Sequence, residues 1–270
     1  PSIFILFVTV VSMAVHRWRT MASLCQVIVF SGFMSGAITA WAYEEVTVSN
    51  GGTVTGTVQF YGELPEPTPF ELRRYPDRVY CGALSDGSGY RLLREVAVGD
   101  QQGLKDVIVT IEGVKKGKPF ELTETKLEAN ICQFIPFVSV MRDRHPLTVT
   151  NLDQVSHDLQ IYERDQEHVF IMFHRPALTK SGTSDIVKFT GNRRGVSKID
   201  VDRTAPMRHG LAVENPYYAI TGLEGAFEIK DLPAGTYRVK AWHPTLGEKM
   251  QNVTVASNGT ASLGFSFEAK

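Results

Sequence analysis

Along most of the chain, apolar and polar positions alternate at period two. Thr53-Val54-Thr55-Gly56-Thr57-Val58-Gln59-Phe60 does so, and Leu104 to Ile111 reads as a second strand closed by Gly113. Pro146–Thr150, Gly225–Ile229, Thr236–Trp242 and Gln251–Val255 repeat the pattern, with Gly, Pro, Asn and Asp clusters between them. That spacing puts alternate side chains on opposite faces, as a half-buried strand requires. Gly62 to Pro69 breaks the pattern, and the proline-dense run Glu63-Leu64-Pro65-Glu66-Pro67-Thr68-Pro69 reads as a loop. A short helix is expected near Phe70 to Tyr75, and no long amphipathic helix is expected anywhere. Many short strands with turn signals between them predict an all-β protein of sandwiches or barrels.

One stretch departs from this pattern. Ala22 to Thr39 is uncharged and mostly apolar, follows the basic His16-Arg17-Trp18-Arg19, and ends in Ala40-Trp41-Ala42 before the polar Tyr43-Glu44-Glu45. That order is a secretory signal peptide, with cleavage expected after Ala42. Met13 is a more natural start than Pro1. Retention as a membrane anchor is the alternative, because the apolar run approaches the ~20 residues of a span. Leu24 before Cys25 is wrong for a lipoprotein site, which wants a small residue. Residues 1–42 are therefore set aside, and the location expected is periplasmic or secreted.

Export changes the reading of the cysteines. Of three, only Cys81 and Cys132 remain in the mature chain. An oxidising compartment favours a Cys81–Cys132 disulfide over two separate buried thiols. Hydrophobic content of 43% and charged content of 21% are those of a globular chain, and a net charge of -1 provides no polybasic surface for nucleic acid.

Two family resemblances follow. Ala219-Ile220-Thr221-Gly222-Leu223-Glu224-Gly225-Ala226-Phe227, with Leu232-Pro233-Ala234-Gly235-Thr236-Tyr237, resembles the carboxypeptidase regulatory-like (transthyretin-like) domain. Gly225 allows a tight turn, Phe227 and Ile229 share a face, and Pro233 to Gly235 turns the chain into Tyr237. Gly52 to Phe60 and Asp106 to Ile111 look like the first strands of the same domain. The division implied is 43–120 and 216–270 for a split transthyretin-like domain, with 121–215 inserted.

The insert resembles a cupredoxin, amicyanin and the plastocyanin-like proteins in particular. Cys132-Gln133-Phe134-Ile135-Pro136-Phe137-Val138 is similar to a family strand that carries His where Phe137 stands. Thr148 to Asp158 is similar to the strand and loop delivering the first copper histidine, here His157. Val201-Asp202-Arg203-Thr204-Ala205-Pro206-Met207-Arg208 sits where the family carries Cys-x-x-His-x-x-Met. The resemblance implies a cupredoxin-like Greek-key sandwich whose blue-copper site is degenerate. His157 and Met207 are present, Val201 and Thr204 occupy the cysteine and histidine positions, and a second register puts Ile199 and Asp202 there. Cys132 is the last cysteine in the chain, so neither register supplies a thiolate. His209 is a substitute imidazole only if the loop is remodelled. The candidate metal residues are thus His157, Met207 and His209, for copper held weakly if at all. His157 also reads as a hydrogen-bonded loop histidine, Met207 as core, His168 and His174 as surface histidines, and His243 as a turn former beside a core Trp242.

No phosphate loop, His-Glu-x-x-His or Gly-x-Ser-x-Gly motif is present, so no enzyme is expected. Two functions remain. One is a cupredoxin-related binding protein tied to periplasmic electron transfer, with a redox protein as partner. The other is a structural or carbohydrate-binding module, with an extracellular glycan as ligand.

Overall fold

The computed structural model describes residues 43–269, apart from 75–76, 143–144, 165–168, 179–181, 189–197 and 202–207. The expected processing site after Ala42 lies outside these residues. Residues 41–270 pack as a single unit.

The chain opens with β1 (Glu44–Glu45), β2 (Gly52–Tyr61), β3 (Thr68–Glu71), the helix α1 (Arg78–Ala83), β4 (Tyr90–Leu93), β5 (Ile108–Glu112) and β6 (Lys116–Gly117). The middle runs through β7 (Thr125–Ala129), β8 (Phe134–Ile135), β9 (Val138–Arg142), β10 (Pro146–Asn151), β11 (His157–Arg164), β12 (Val169–Leu178), β13 (Thr183–Lys188), β14 (Lys198–Val201) and β15 (Arg208–Val213). The last segment is β16 (Tyr218–Ile220), β17 (Ala226–Leu232), β18 (Gly235–His243), β19 (Gly247–Val255) and β20 (Thr260–Glu268). The architecture is all-β, as the alternation predicts.

Two sandwiches result. In the first, sheet β17-β2-β20 faces sheet β16-β5-β18-β19, so the two ends of the chain build it together. Its core takes Val54, Val58 and Phe60 from β2, Val109 and Ile111 from β5, and Phe227, Val239, Val253 and Phe265 from the later strands. These are the apolar positions of the period-two pattern. Thr221 ties the halves at a distance in sequence: its hydroxyl donates to Leu104 O at 2.6 Å and accepts from Val107 N at 3.1 Å. Gly225 has φ +66, and a Cβ there would stand 2.1 Å from Val58 O, so only glycine fits.

In the second sandwich, sheet β13-β10-β7-β8 faces sheet β12-β11-β14-β15-β9. Leu127, Phe134, Met141, Leu147, Val149, Leu159 and Ile161 fill the space between. The sandwiches share a third core, where Ile108 and Trp242 meet Val138, Val140, Leu211 and Val213. Trp242 is core, as read from the sequence.

Two local expectations need correction, the start of the Leu104 strand and the loop reading of Thr68-Pro69. The strand predicted from Leu104 starts only at Ile108: before it, Leu104 N donates to Val58 O of β2 at 2.9 Å, while Asp106 N and Val107 N donate to Thr221 at 3.0 and 3.1 Å. The short helix expected near Phe70 to Tyr75 is present as a 3-10 helix at Leu72–Arg74, directly after strand β3, and the α-helix α1 follows it. Asp77 sets that start, accepting from Val79 N at 3.1 Å and Tyr80 N at 2.8 Å as an N-cap. Pro69 falls within β3, which pairs only with β4.

Candidate functional site

The second sandwich brings its most concentrated polar chemistry to the pole where β11 begins. Asn151 ends β10 and shapes the loop: its side-chain Oδ1 accepts from Asp153 N at 2.9 Å, and its side-chain Nδ2 donates to Val155 O at 2.8 Å. This turn points Asp153 inward, where it is 2% exposed. Asp153 Oδ2 lies 2.7 Å from Nε2 of His157, which is 1% exposed.

Asp153 also holds the turn between β7 and β8. Ile131 N donates to Oδ1 at 2.7 Å and Cys132 N to Oδ2 at 2.8 Å. Ile131 and Cys132 have φ of 49° and 53°, with Asn130 and Gln133 bonded to each other across them. This is a two-residue hairpin turn with both central residues left-handed, a shape that normally calls for Asn-Gly. A β-branched residue there is strained by roughly 1–2 kcal/mol. The bidentate carboxylate and the Cys132 sulfur offset that strain.

The disulfide forms as predicted. Cys81 and Cys132 are joined at 2.05 Å, and both are fully buried beside Leu72. It fastens to the pole a strap made of β3, α1 and β4. Tyr80 donates to Asp153 Oδ1 at 3.3 Å, and Arg91 donates to Ile131 O at 2.7 Å. Desolvation and then the charge of Asp153 raise the Tyr80 pKa, so the phenol stays protonated as the donor.

A second cluster sits around Phe137. Its ring centroid lies 5.4 Å from that of His209 and 6.4 Å from that of His243, and Arg208 lies over it at 5.5 Å. His243 Nδ1 accepts from Thr245 N at 3.2 Å and Leu246 N at 3.3 Å, so it does form a turn. Its Nε2 is buried without a hydrogen-bond partner. Burial, and then His209, lower its pKa to about 4. With Nδ1 accepting, Nε2 carries the hydrogen of the neutral ring and cannot ligate a metal.

Backbone register places the two described metal candidates, His157 and His209, on different strands. β14 pairs with β11 so that Val201 lies opposite Ile161 and Ile199 opposite Glu163. Ile161 is four residues along β11 from His157, about 13 Å at strand rise. By backbone register, Val201 stands four rungs and Ile199 six rungs along the sheet from His157. His209 lies opposite Asp200, which lies opposite Tyr162, so His209 and His157 stand on different rungs and form no joint site. Met207, Thr204, Asp202 and His168 lie outside the described residues. His174 is exposed at 3.3 Å from Gln160. With the disulfide formed, no group of three or more His, Cys, Asp or Glu among the described residues could hold a metal. The described residues do not fit a type-1 copper ion, which needs a thiolate and two imidazoles together.

Sequence reasoning passed over Asp153, although the signal was present: an acid four residues before a histidine in a loop headed by Asn151.

A family model described as polysaccharide lyase family 4, domain II, matches residues 201–263. No curated protein matches the chain. Among solved structures, a purple cupredoxin from Nitrosopumilus maritimus is similar at 17% identity, over 33% of this chain and 99% of that one, with a TM-score of 0.25. The copper-containing nitrite reductase from Thermus scotoductus SA-01 is similar at 16% identity, over 36% of this chain and 24% of that one, with a TM-score of 0.27.

Proposed function

We propose that the chain is an exported binding protein related to cupredoxins, working without a type-1 copper centre and engaging a periplasmic redox protein. Binding, not catalysis, is its role. The observation that carries this reading is the commitment of His157. Its Nε2 is bound to a buried carboxylate at 2.7 Å, and that carboxylate holds a disulfide-stapled turn. In this reading residues 121–215 are the cupredoxin-related part. Residues 43–120 and 216–270 are a split transthyretin-like domain, supported by the parallel pairing of β2 with β20 across one sheet.

The test is a copper titration of the purified protein, followed by absorption and electron paramagnetic resonance. Copper bound weakly, without an intense blue band, is the outcome expected. A blue protein at one copper per chain would end the proposal.

A second reading is a carbohydrate-binding module, favoured by the match of residues 201–263 to a domain of a polysaccharide lyase family. Affinity electrophoresis of the whole chain in polysaccharide gels separates the two. Retardation by one polysaccharide favours this reading, and unchanged mobility in all of them favours the first.

A further inference from the structure

The outward face of sheet β17-β2-β20 carries a glycine that the fold does not explain. Gly264 stands in the interior of β20 and is exposed, while its neighbour Phe265 points into the core. A Cβ added at Gly264 would meet nothing within 4 Å, and its φ lies outside the left-handed region. Gly56 on β2 is the contrast. A Cβ there would collide with Leu263 O and the Phe227 ring, so packing demands glycine. Glycine weakens a strand interior. Where neither backbone nor packing calls for it, it marks a place where a ligand comes close to the main chain.

Register sets what surrounds it. Thr57 lies opposite Gly264 on one side and Ala226 on the other, so Ala226-Thr57-Gly264 is a rung of small side chains crossing all three strands. At sheet spacing that rung is about 10 Å long. On one side of it Gln59 lies opposite Ser266, and on the other Thr55 lies between Ser262 and Glu228. Larger side chains therefore flank a shallow trough. Gln59 is held at both ends: Tyr61 Oη donates to its Oε1 at 3.0 Å, and its Nε2 donates to Gln101 O at 3.2 Å. Tyr61 is 38% exposed, and its bond to Gln59 draws the phenol towards the trough. The trough rung and the Gln59–Ser266 rung hold no charged residue.

We propose that this trough is a binding site for a neutral polysaccharide lying across the three strands, an inference that rests on the carbohydrate-binding reading above. A sugar ring takes the space that a Cβ at Gly264 would fill. Hydroxyl and amide groups that both donate and accept match sugar hydroxyls, which do the same. Tyr61 supplies an aromatic face for the apolar C–H side of a ring. An acidic glycan calls for a cation, and Lys230 on β17 is already paired with Glu228 at 2.8 Å. A protein partner calls for large apolar or arginine anchors, which Ala226, Thr57 and Gly264 do not provide. Strand addition to β20 is opposed at this point, because Gln251 Nε2 donates to Gly264 O at 2.5 Å.

The experiment uses the whole chain in affinity electrophoresis, with gels containing a neutral β-glucan, xylan or galactan, or the acidic alginate. Retardation by at least one neutral polysaccharide, and none by alginate, is expected. Gly264→Ala should weaken that binding, and Gly264→Val should weaken it further, by roughly tenfold or more. Gln59→Ala should weaken it as well. A Cβ at position 264 has room and valine favours strands, so Gly264→Val should unfold in urea at or above the wild-type midpoint. Lost binding in a protein no less stable is a result that a purely structural glycine would not give. Wild-type binding by a folded Gly264→Val protein, or a lower midpoint in that variant, overturns the trough and leaves the carbohydrate reading standing. Retardation by alginate alone overturns the assignment to a neutral glycan. Unchanged mobility in every gel overturns the carbohydrate reading and the trough together.

Discussion

Asp153 Oδ2 stands 2.7 Å from His157 Nε2 while the same oxygen accepts the backbone N–H of Cys132 at 2.8 Å. One buried carboxylate thus joins the start of β11, the β7–β8 turn and, through Tyr80, the strap.

Removing that carboxylate leaves an uncompensated imidazole and two turn N–H groups in the interior. Asp153→Ala should cost about 3–5 kcal/mol of stability, the range for breaking one side of a buried pair. Asp153→Asn, which keeps an acceptor, should cost less. Urea unfolding with the disulfide intact measures both, and an Asp153→Ala loss under 1 kcal/mol would remove Asp153 from this role.

Ile131 occupies a left-handed turn position at φ 49 with its side chain 44% exposed. Ile131→Asn relieves the β-branched strain at little expense in burial. The variant should gain about 1 kcal/mol. A lower urea midpoint than wild type would show that the turn is not strained as described.

The Cys81–Cys132 bond predicts that neither of these two residues gives a free thiol in the denatured, unreduced protein. Replacing both residues by serine should cost about 2–4 kcal/mol under oxidising conditions. Thiol titration checks the first statement and denaturant unfolding the second.

His243 makes stability depend on pH. Its folded pKa of about 4 lies below the ordinary 6.5, so between those values the unfolded chain binds more protons. The contribution is complete above about pH 6.5 and is lost as pH falls towards 4, for a total of about 3 kcal/mol. His243→Gln should flatten the unfolding midpoint between pH 4 and 7. An unchanged slope in that variant would assign the pH dependence to other groups.

Most of the strand framework could be read from alternation, because a half-buried strand needs apolar side chains at every second position. Val54, Val58 and Phe60 illustrate this: the pattern places them on one face and the core receives all three. Gly225 could be read too, since it stands at a turn where φ is +66. The disulfide followed from cysteine number and expected compartment.

The candidate site was only partly readable. His157 was singled out by resemblance, yet its role depends on Asp153, and an acid four residues away along a loop has no fixed direction until the backbone is folded. Strand register is likewise not written in a local pattern. Shifting β14 along β11 keeps the same alternation at every second residue, so nothing local tells whether Val201 or a later residue lies beside His157. The backbone register sets Val201 opposite Ile161.

By itself, then, the amino-acid order determined strand content and the turn glycine, since each depends on local sterics, while the cysteine pairing rested also on the expected compartment. Tertiary structure alone decided which polar groups meet. The Asp153–His157 contact, the Tyr80 bond and the His209–Phe137–His243 cluster come from elements far apart in the chain or from loop directions. Their energies exist only after packing has removed water from around them.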